Sequence, residues 1–375
     1  MSIVSLNGIV KLVLLALSGC FEVNASHVCT VASPKLGTCL ASTLHAVPFP
    51  HGFKARWPTD KIGRRSQAVM RAYLAVEGRE AELVQELANA GSCISEQAGR
   101  LVITENGPKR AAWASNVWYA AERIAVASIR EAQLALAARG ARWCLLSQSH
   151  HRRAALIQAG LVGPSTAPLR FGARPPREAL GSWTLLDEHT LLASPSCSSP
   201  FPNGEIEFVE DHHAPPSRAY LKLWDLFTVT AKKPRKNELC LDLGSSPGGW
   251  TWVLASLGAR VISVDKAPLD PKVVGMPGVK YVQGSAFAYD PVSHPAVDWL
   301  FSDVICYPGR LLEYVERWII AGKARNIVCT LKFQGETDHA AARGFARIPG
   351  SRLMHLHHNR HELTWFWVGG SSRTH

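Results

Sequence analysis

The sequence predicts an α/β protein, with a doubly wound sheet in its C-terminal half and a smaller α+β domain before it. Three observations carry this. At 375 residues the chain exceeds one typical domain. Six apolar strand candidates follow residue 236, several of them separated by helical stretches. A Ser- and Pro-rich stretch, "SPSCSSPFPNGE" from Ser194 to Glu205, divides them from an earlier region of shorter elements.

In the earlier region, "RAYLAVEG" after Met70 reads as a strand and "REAELVQELANAG" as an amphipathic helix closed by Gly91. "GRLVITEN" reads as a second strand. Residues 130–161 read as mostly helical, broken at Gly140, and "ALGSWTLLDEHTLLASPS" as a hairpin centred on Asp187-Glu188. Strands mixed with helices make this a compact α+β unit over 67–193, followed by a linker over 194–212. Beyond it, "NELCLDLG", "RVISVD", "VKYVQG", "VDWLFSD", "NIVCTLKF" and "ELTWFWVG" are continuous apolar runs. "WTWVLASLG" and "GRLLEYVERWIIAGK" lie among them as helices. Such runs predict a parallel sheet covered on both faces over 213–375, a Rossmann-like arrangement.

Hydrophobic residues at 47% and charged residues at 19% describe a globular chain, not a disordered or coiled-coil one. The net charge of +11 points to an anionic partner, nucleic acid or an acidic membrane surface. The nine cysteines form no CxxC pair and show no zinc spacing, which predicts a reducing compartment and no metal. Cys240 and Cys329, inside apolar runs, read as buried thiols. Residues 1–66 form an N-terminal extension: "LVLLALSGC" after Lys11 is signal-like, with candidate cleavage sites at Cys20 and Ala25, but a misassigned start is the alternative. Its apolar stretch is too short to span a bilayer.

The most informative stretch is "LDLGSSPGGWTWVLASLGARVISVD", Leu241 to Asp265. Its loop lies between a strand and a helix, where α/β sheets bind ligands at the carboxyl ends of their strands. Asp242 and Gly244 end the first strand and Gly248-Gly249 open the helix. Asp265 ends the second strand, where it can accept both hydroxyls of a ribose. A P-loop would need GxxxxGK[ST], and Trp250-Thr251 after Gly249 supply no lysine. A dinucleotide fingerprint would need G-x-G-x-x-G, and the second glycine is missing. What remains suits an adenosine-bearing ligand without a pyrophosphate, such as S-adenosylmethionine.

With these residues in place, the C-terminal part resembles the ribose 2′-O-methyltransferases of the FtsJ/RrmJ superfamily. The likeness leans toward the RlmM-type enzymes, which methylate a cytidine ribose in bacterial large-subunit rRNA. The matching residues are Ser217-Arg-Ala-Tyr-Leu-Lys222, Asp242-x-Gly-x-x-Pro-Gly-Gly-Trp-Thr251, Ser263-Val-Asp265, Ser302-Asp303 with Pro308, Leu331-Lys332 and Glu362-Leu-Thr364. The resemblance implies a catalytic set of Lys222, Asp303, Lys332 and Glu362. It implies methyl-donor contacts from Ser217, from the loop Asp242, Gly244, Ser246, Pro247, Gly248, Gly249 and Trp250, and from Asp265, Ser285 and Asp303. It further implies a THUMP-like RNA-binding N-terminal domain, an rRNA substrate and a cytoplasmic location. Where relatives carry an acid to hold the adenine amino group, this chain reads "VQGSAF", with Ser285 nearest, which places cofactor affinity in question.

The chemistry agrees with that set. Methyl transfer from a sulfonium needs alignment and removal of a proton from a ribose hydroxyl. Lys332, ending a buried strand, is the candidate base. A free lysine is mostly protonated at neutral pH, so whether Lys332 deprotonates the hydroxyl or orients it stays open. Asp303 would hold Lys332; Lys222 and Glu362 would position it and the ribose. The basic run Lys232-Lys233-Pro234-Arg235-Lys236 reads as a phosphate contact near the site or a solvated connection. "HLHHNRHE", His355 to Glu362, reads as alternating His on a strand edge, not as a metal site. The competing reading is an RNA-binding protein whose methyltransferase fold no longer turns over.

Overall fold

The computed structural model describes residues 70–369 apart from Ala141 and Thr166. The signal-like extension lies outside the described residues.

The first sheet is antiparallel, with strand order β2-β3-β1-β4. It comprises β1 (Met70–Ala75), β2 (Cys93–Ala98), β3 (Leu101–Glu105) and β4 (Ala114–Trp118). Helix α1 (Glu80–Asn89) packs on it through Leu83 and Leu87, one turn apart on a single face. The sequence reading did not separate β2, because "CISEQA" is a polar edge strand with no buried residue. The second sheet has order β5-β8-β7-β6, from β5 (Glu122–Ala125), β6 (Trp143–Leu145), β7 (Gly181–Leu185) and β8 (Thr190–Ser194). The predicted Asp187-Glu188 hairpin is the β7–β8 connection. Residues 130–161 carry two helices, α2 (Ile129–Ala137) and α3 (His151–Ala159), and between them a strand, β6, that the sequence does not predict. "Trp-Cys-Leu" is too short a run for periodicity to resolve, and parallel pairing with β7 decides its state. The Ser/Pro stretch is a packed connection, since Phe201, Ile206 and Phe208 are buried against Tyr220 and Trp224.

The C-terminal sheet has seven strands in the order β11-β10-β9-β12-β13-β15-β14. These are β9 (Leu239–Leu243), β10 (Arg260–Asp265), β11 (Val279–Gln283), β12 (Val297–Ser302), β13 (Ala324–Lys332), β14 (Ser351–Met354) and β15 (Glu362–Val368). All six predicted strands form, and β14 is added. Strands β9 to β13 are mutually parallel, but β15 runs antiparallel to β13 and to β14. This corrects the expectation of a wholly parallel sheet. The turn between β14 and β15, residues 355–361, is too short for the crossover that parallel pairing demands.

Among the described residues, five α-helices belong to this half: α4 (Tyr220–Thr230), α5 (Gly249–Ser256), α6 (Pro271–Val274), α7 (Pro308–Ile320) and α8 (His339–Arg347). Strand residues alternate between two cores, which is why the runs are apolar throughout. Cys240, Trp299, Phe301 and Val328 pack with Leu223, Phe227, Trp250 and Leu254 of α4 and α5. Leu241, Leu300, Ile327, Cys329 and Trp365 pack with Leu311, Tyr314, Trp318 and Phe345 of α7 and α8. Helices therefore cover both faces, as a doubly wound sheet requires. The second core also takes in Tyr73, Leu83 and Trp113 of the first sheet region. Trp113 lies 5.8 Å from the Phe333 ring and 6.0 Å from that of His361, just beyond Lys332 and just before Glu362.

Candidate active site

Strand order reverses at β9, with β10 on one side and β12 on the other, and this opens a crevice at the carboxyl ends. A cavity of about 610 Å³ sits there. Gly244, Ser246, Asp265, Ser285, Asp303 and Lys332 line it, each at or just past a strand end. These six expected residues converge from five strands.

The loop after β9 owes its path to glycine. Gly244 has φ +75°, and a Cβ there would stand 2.8 Å from the Val304 side chain and 3.0 Å from its Cα. Gly249 leaves room for Ser217, since a Cβ would lie 2.6 Å from Ser217 Oγ. Ser217 Oγ is itself buried and has no partner among the described residues, so it retains hydrogen-bonding capacity at the loop. Asp265 accepts from the Ser246 amide at 3.0 Å through Oδ2 and from the Ala267 amide at 2.9 Å through Oδ1. It therefore braces the loop while facing the cavity. Ser246 Oγ donates to the Pro268 carbonyl at 2.8 Å.

Six expected donor contacts lie outside the cavity lining: Ser217 and Gly249, which meet behind the loop, and four more. Asp242 is fully buried, and its Oδ2 accepts from Thr251 Oγ1 at 2.6 Å, which in turn meets Ser263 Oγ at 2.8 Å. Burial, chiefly, with Asp303 and Asp265 nearby, pushes its carboxyl up to about 7. It fixes β9 to α5 from beneath the loop. Trp250 donates Nε1–H to the Ala219 carbonyl at 3.1 Å and packs edge-on against Phe301, so it is core. Gly248, with φ +114°, is buried against Val273 at the start of α5. Pro247 is exposed beside the cavity lining, its carbonyl accepting from the Asp270 amide at 3.0 Å.

The four expected catalytic residues form one connected set. Lys332 Nζ donates to the Asp303 carbonyl at 2.6 Å and pairs with Asp303 Oδ1 at 3.1 Å. Lys222 Nζ stands 2.5 Å from Glu362 Oε1 and 3.5 Å from Asp303 Oδ1. All four side chains are largely buried, so these pairs are screened less than surface ones. The sequence reading missed Thr330, buried two residues before Lys332, whose hydroxyl donates to Asp303 Oδ1. Its signal was the strand period of two, which places Thr330 on the Lys332 face. Also unforeseen in the lining are Lys266, Phe287, Ile305, Tyr307, Arg310 and Gln334.

The basic run fits the solvated connection of its two readings, and the histidine reading needs correction. The run Lys232 to Lys236 leads into the amino end of β9, so it lies at the opposite edge of the sheet from the cavity. Its charged residues are exposed there. The histidine run is a turn between β14 and β15, not an alternating strand edge. His355 Nε2 bonds the Arg360 carbonyl at 2.9 Å, and burial pushes its pKa down to about 4. His358 Nδ1 meets Asp225 Oδ2 at 3.3 Å. Among the described residues, no group of three or more His, Cys, Asp or Glu is placed to hold a metal.

The strand order, the crevice and the glycine loop define the class: a Rossmann-like methyltransferase. More narrowly, residues 215–331 match the FtsJ-like methyltransferase family, so this part of the chain is an FtsJ-like methyltransferase domain. The chain is 33% identical to the ribosomal RNA large subunit methyltransferase M of Laribacter hongkongensis, over 46% of this chain and 53% of that protein. It is 30% identical to the protein of the same name from Methylococcus capsulatus, over 59% of this chain and 64% of that one. It thus spans about half to two thirds of these relatives. Among solved structures, TrmN from Thermus thermophilus matches 80% of this chain and 99% of its own at 12% identity, with a TM-score of 0.30. That likeness is too weak to build on, and the fold rests on the strand order.

Proposed function

We propose that this chain is an S-adenosylmethionine-dependent RNA ribose 2′-O-methyltransferase that acts on large-subunit rRNA, with a cytidine ribose as acceptor. The observation that carries the reading is the ion-paired set of Lys222, Glu362, Asp303 and Lys332, of which Asp303 and Lys332 line a nucleoside-sized cavity. The names of the relatives from Laribacter hongkongensis and Methylococcus capsulatus support the substrate class.

The residues fit the donor. Gly244 clears space for close approach, Ser217 Oγ has no partner among the described residues, and Asp265 sits where ribose hydroxyls can be accepted. Ser285 lines the cavity past β11, where a hydroxyl can accept from an adenine amino group without charge assistance. S-adenosylmethionine, when bound, supplies a methyl group activated by its sulfonium. The chain's own tasks are alignment and proton handling. Lys332 Nζ spends two donor directions on Asp303. As a neutral amine it then directs its lone pair at a ribose 2′-hydroxyl and takes that proton; as an ammonium it donates and orients the hydroxyl oxygen. Asp303, held by Thr330, fixes the amine in place, and Lys222 balances Asp303 and Glu362.

Residues 67–193 are read as a THUMP-like RNA-binding domain that selects the substrate, 194–212 as its connection and 213–375 as the methyltransferase domain. A cytoplasmic location follows from the substrate. Among the described residues no helix is long and apolar enough to cross a membrane. The test is incubation with S-adenosylmethionine and unmethylated large-subunit rRNA, then nucleoside mass spectrometry. A 2′-O-methylated nucleoside, cytidine by this reading, is the expected product. RNA binding with no transferred methyl group would favour the non-catalytic RNA-binding reading instead.

A further inference from the structure

The loop joining β12 to α7, Asp303 to Tyr307, turns its residues alternately inward and outward. Val304 packs against Gly244, and Cys306 is buried. Ile305 and Tyr307 point the other way and are 72% and 74% exposed. Single exposed apolar side chains are ordinary on protein surfaces. Two of them within three residues, on the wall that also carries Asp303 and Lys332, form an apolar lip on the reaction cavity.

Tyr307 is also held in place. It caps the N-terminus of α7 with an extended backbone, and Pro308 restricts it to that conformation. Its side chain is largely exposed at the cavity lining, which leaves an aromatic face open for recognition. One turn along α7, the Arg310 guanidinium lies 4.1 Å from the Phe287 ring centroid, which anchors a positive charge on the same wall. An exposed ring beside an anchored cation suits a flat, anionic polymer. Unpaired nucleotides offer both a π-face and a phosphate.

We infer that Tyr307, flanked by Ile305, is a stacking platform for an unpaired nucleobase of the RNA, with Arg310 facing the adjoining phosphate. This rests on the RNA reading proposed above and names the recognition element of the same cavity. The lip adjoins the acceptor side, where Lys332 lies, so its loss affects RNA and not the methyl donor.

The experiment is fluorescence anisotropy of the full chain with a short, labelled, mixed-sequence single-stranded oligoribonucleotide, alongside calorimetry with S-adenosylmethionine. Tyr307→Ala should weaken oligonucleotide binding about tenfold, the loss of one base–aromatic stack, and leave donor affinity and melting temperature unchanged. Tyr307→Phe and Tyr307→Trp should bind as the wild type does, because the ring carries the contact. Oligonucleotide affinity within about twofold of wild type for Tyr307→Ala would overturn the inference. So would equal losses for Tyr307→Phe and Tyr307→Ala, or a parallel loss of donor binding. Anisotropy requires no turnover. A chain that binds RNA through Tyr307 but transfers no methyl group would therefore refute the enzymatic reading alone.

Discussion

Lys332 and Glu362 are register partners, the last residue of β13 opposite the first of β15. Only the antiparallel direction of β15 permits this. A parallel strand in that place would bring Val368 to the cavity edge and carry Glu362 to the far end of the sheet. The reversal of one strand thus delivers a carboxylate to Lys222 and completes the set around Asp303.

Thr330 should matter although it touches no substrate. Its hydroxyl is one of the donors that fix the Asp303 carboxylate. Thr330→Val keeps the shape and removes the donor, leaving a buried acceptor short of a partner at about 1–3 kcal/mol. Turnover should fall roughly tenfold with donor affinity nearly unchanged, as read from single-turnover rates and calorimetry. Thr330→Ser should restore most of the rate.

Gly244→Ala tests the loop. The added methyl would meet Val304 at a backbone that already has φ +75°. Strain of about 1–3 kcal/mol is expected in thermal unfolding, with weaker S-adenosylmethionine binding by calorimetry. A variant of unchanged stability and affinity would show that the loop relaxes freely.

Asp242 predicts a dependence of stability on pH. Burial raises its carboxyl to about 7, so the folded state holds that proton more tightly than the unfolded chain. The resulting stabilisation is complete below the ordinary carboxylate range near about 4 and is lost as pH rises toward about 7. Asp242→Asn removes that loss, so its melting temperature should gain on the wild type between those limits. His355 acts in the opposite sense: its lowered pKa gives stability present above about 6.5 and lost as pH falls toward about 4. The difference between variant and wild type, not the wild-type profile, therefore isolates Asp242. A gap that does not change with pH would contradict the assignment.

Replacing Lys232, Lys233, Arg235 and Lys236 together with alanine should leave the methyl-transfer rate constant unchanged. The run lies at the amino ends of the strands, away from the cavity. A reduced rate constant for the bound complex would place RNA around that edge.

Much of the site was legible because strand ends are legible. An apolar run that stops at Gly244, Asp265, Asp303 or Lys332 marks a carboxyl edge, and in a doubly wound sheet those edges meet. Direction was not legible in "ELTWFWVG", since a strand buried on both faces reads alike whichever way it runs. Glu362 came instead from resemblance, and a wholly parallel sheet would have placed it at the wrong end. Asp242 and Trp250 share the motif with the cavity residues, but motif membership does not say which side chains turn inward. Here burial directs Asp242 to Thr251 and Trp250 to the α4–α5 core. Strand β6 was hidden for another reason: three residues between two helices carry no period of their own.

The central claim is that Lys332, held by Asp303, handles the proton of the acceptor hydroxyl. The most direct measurement is single-turnover methyl transfer to unmethylated large-subunit rRNA by wild type and Lys332→Ala, with calorimetry of S-adenosylmethionine on both. The prediction is loss of at least about a hundredfold in rate with donor affinity nearly intact. A Lys332→Ala variant that binds the donor and transfers methyl at close to the wild-type rate would contradict it.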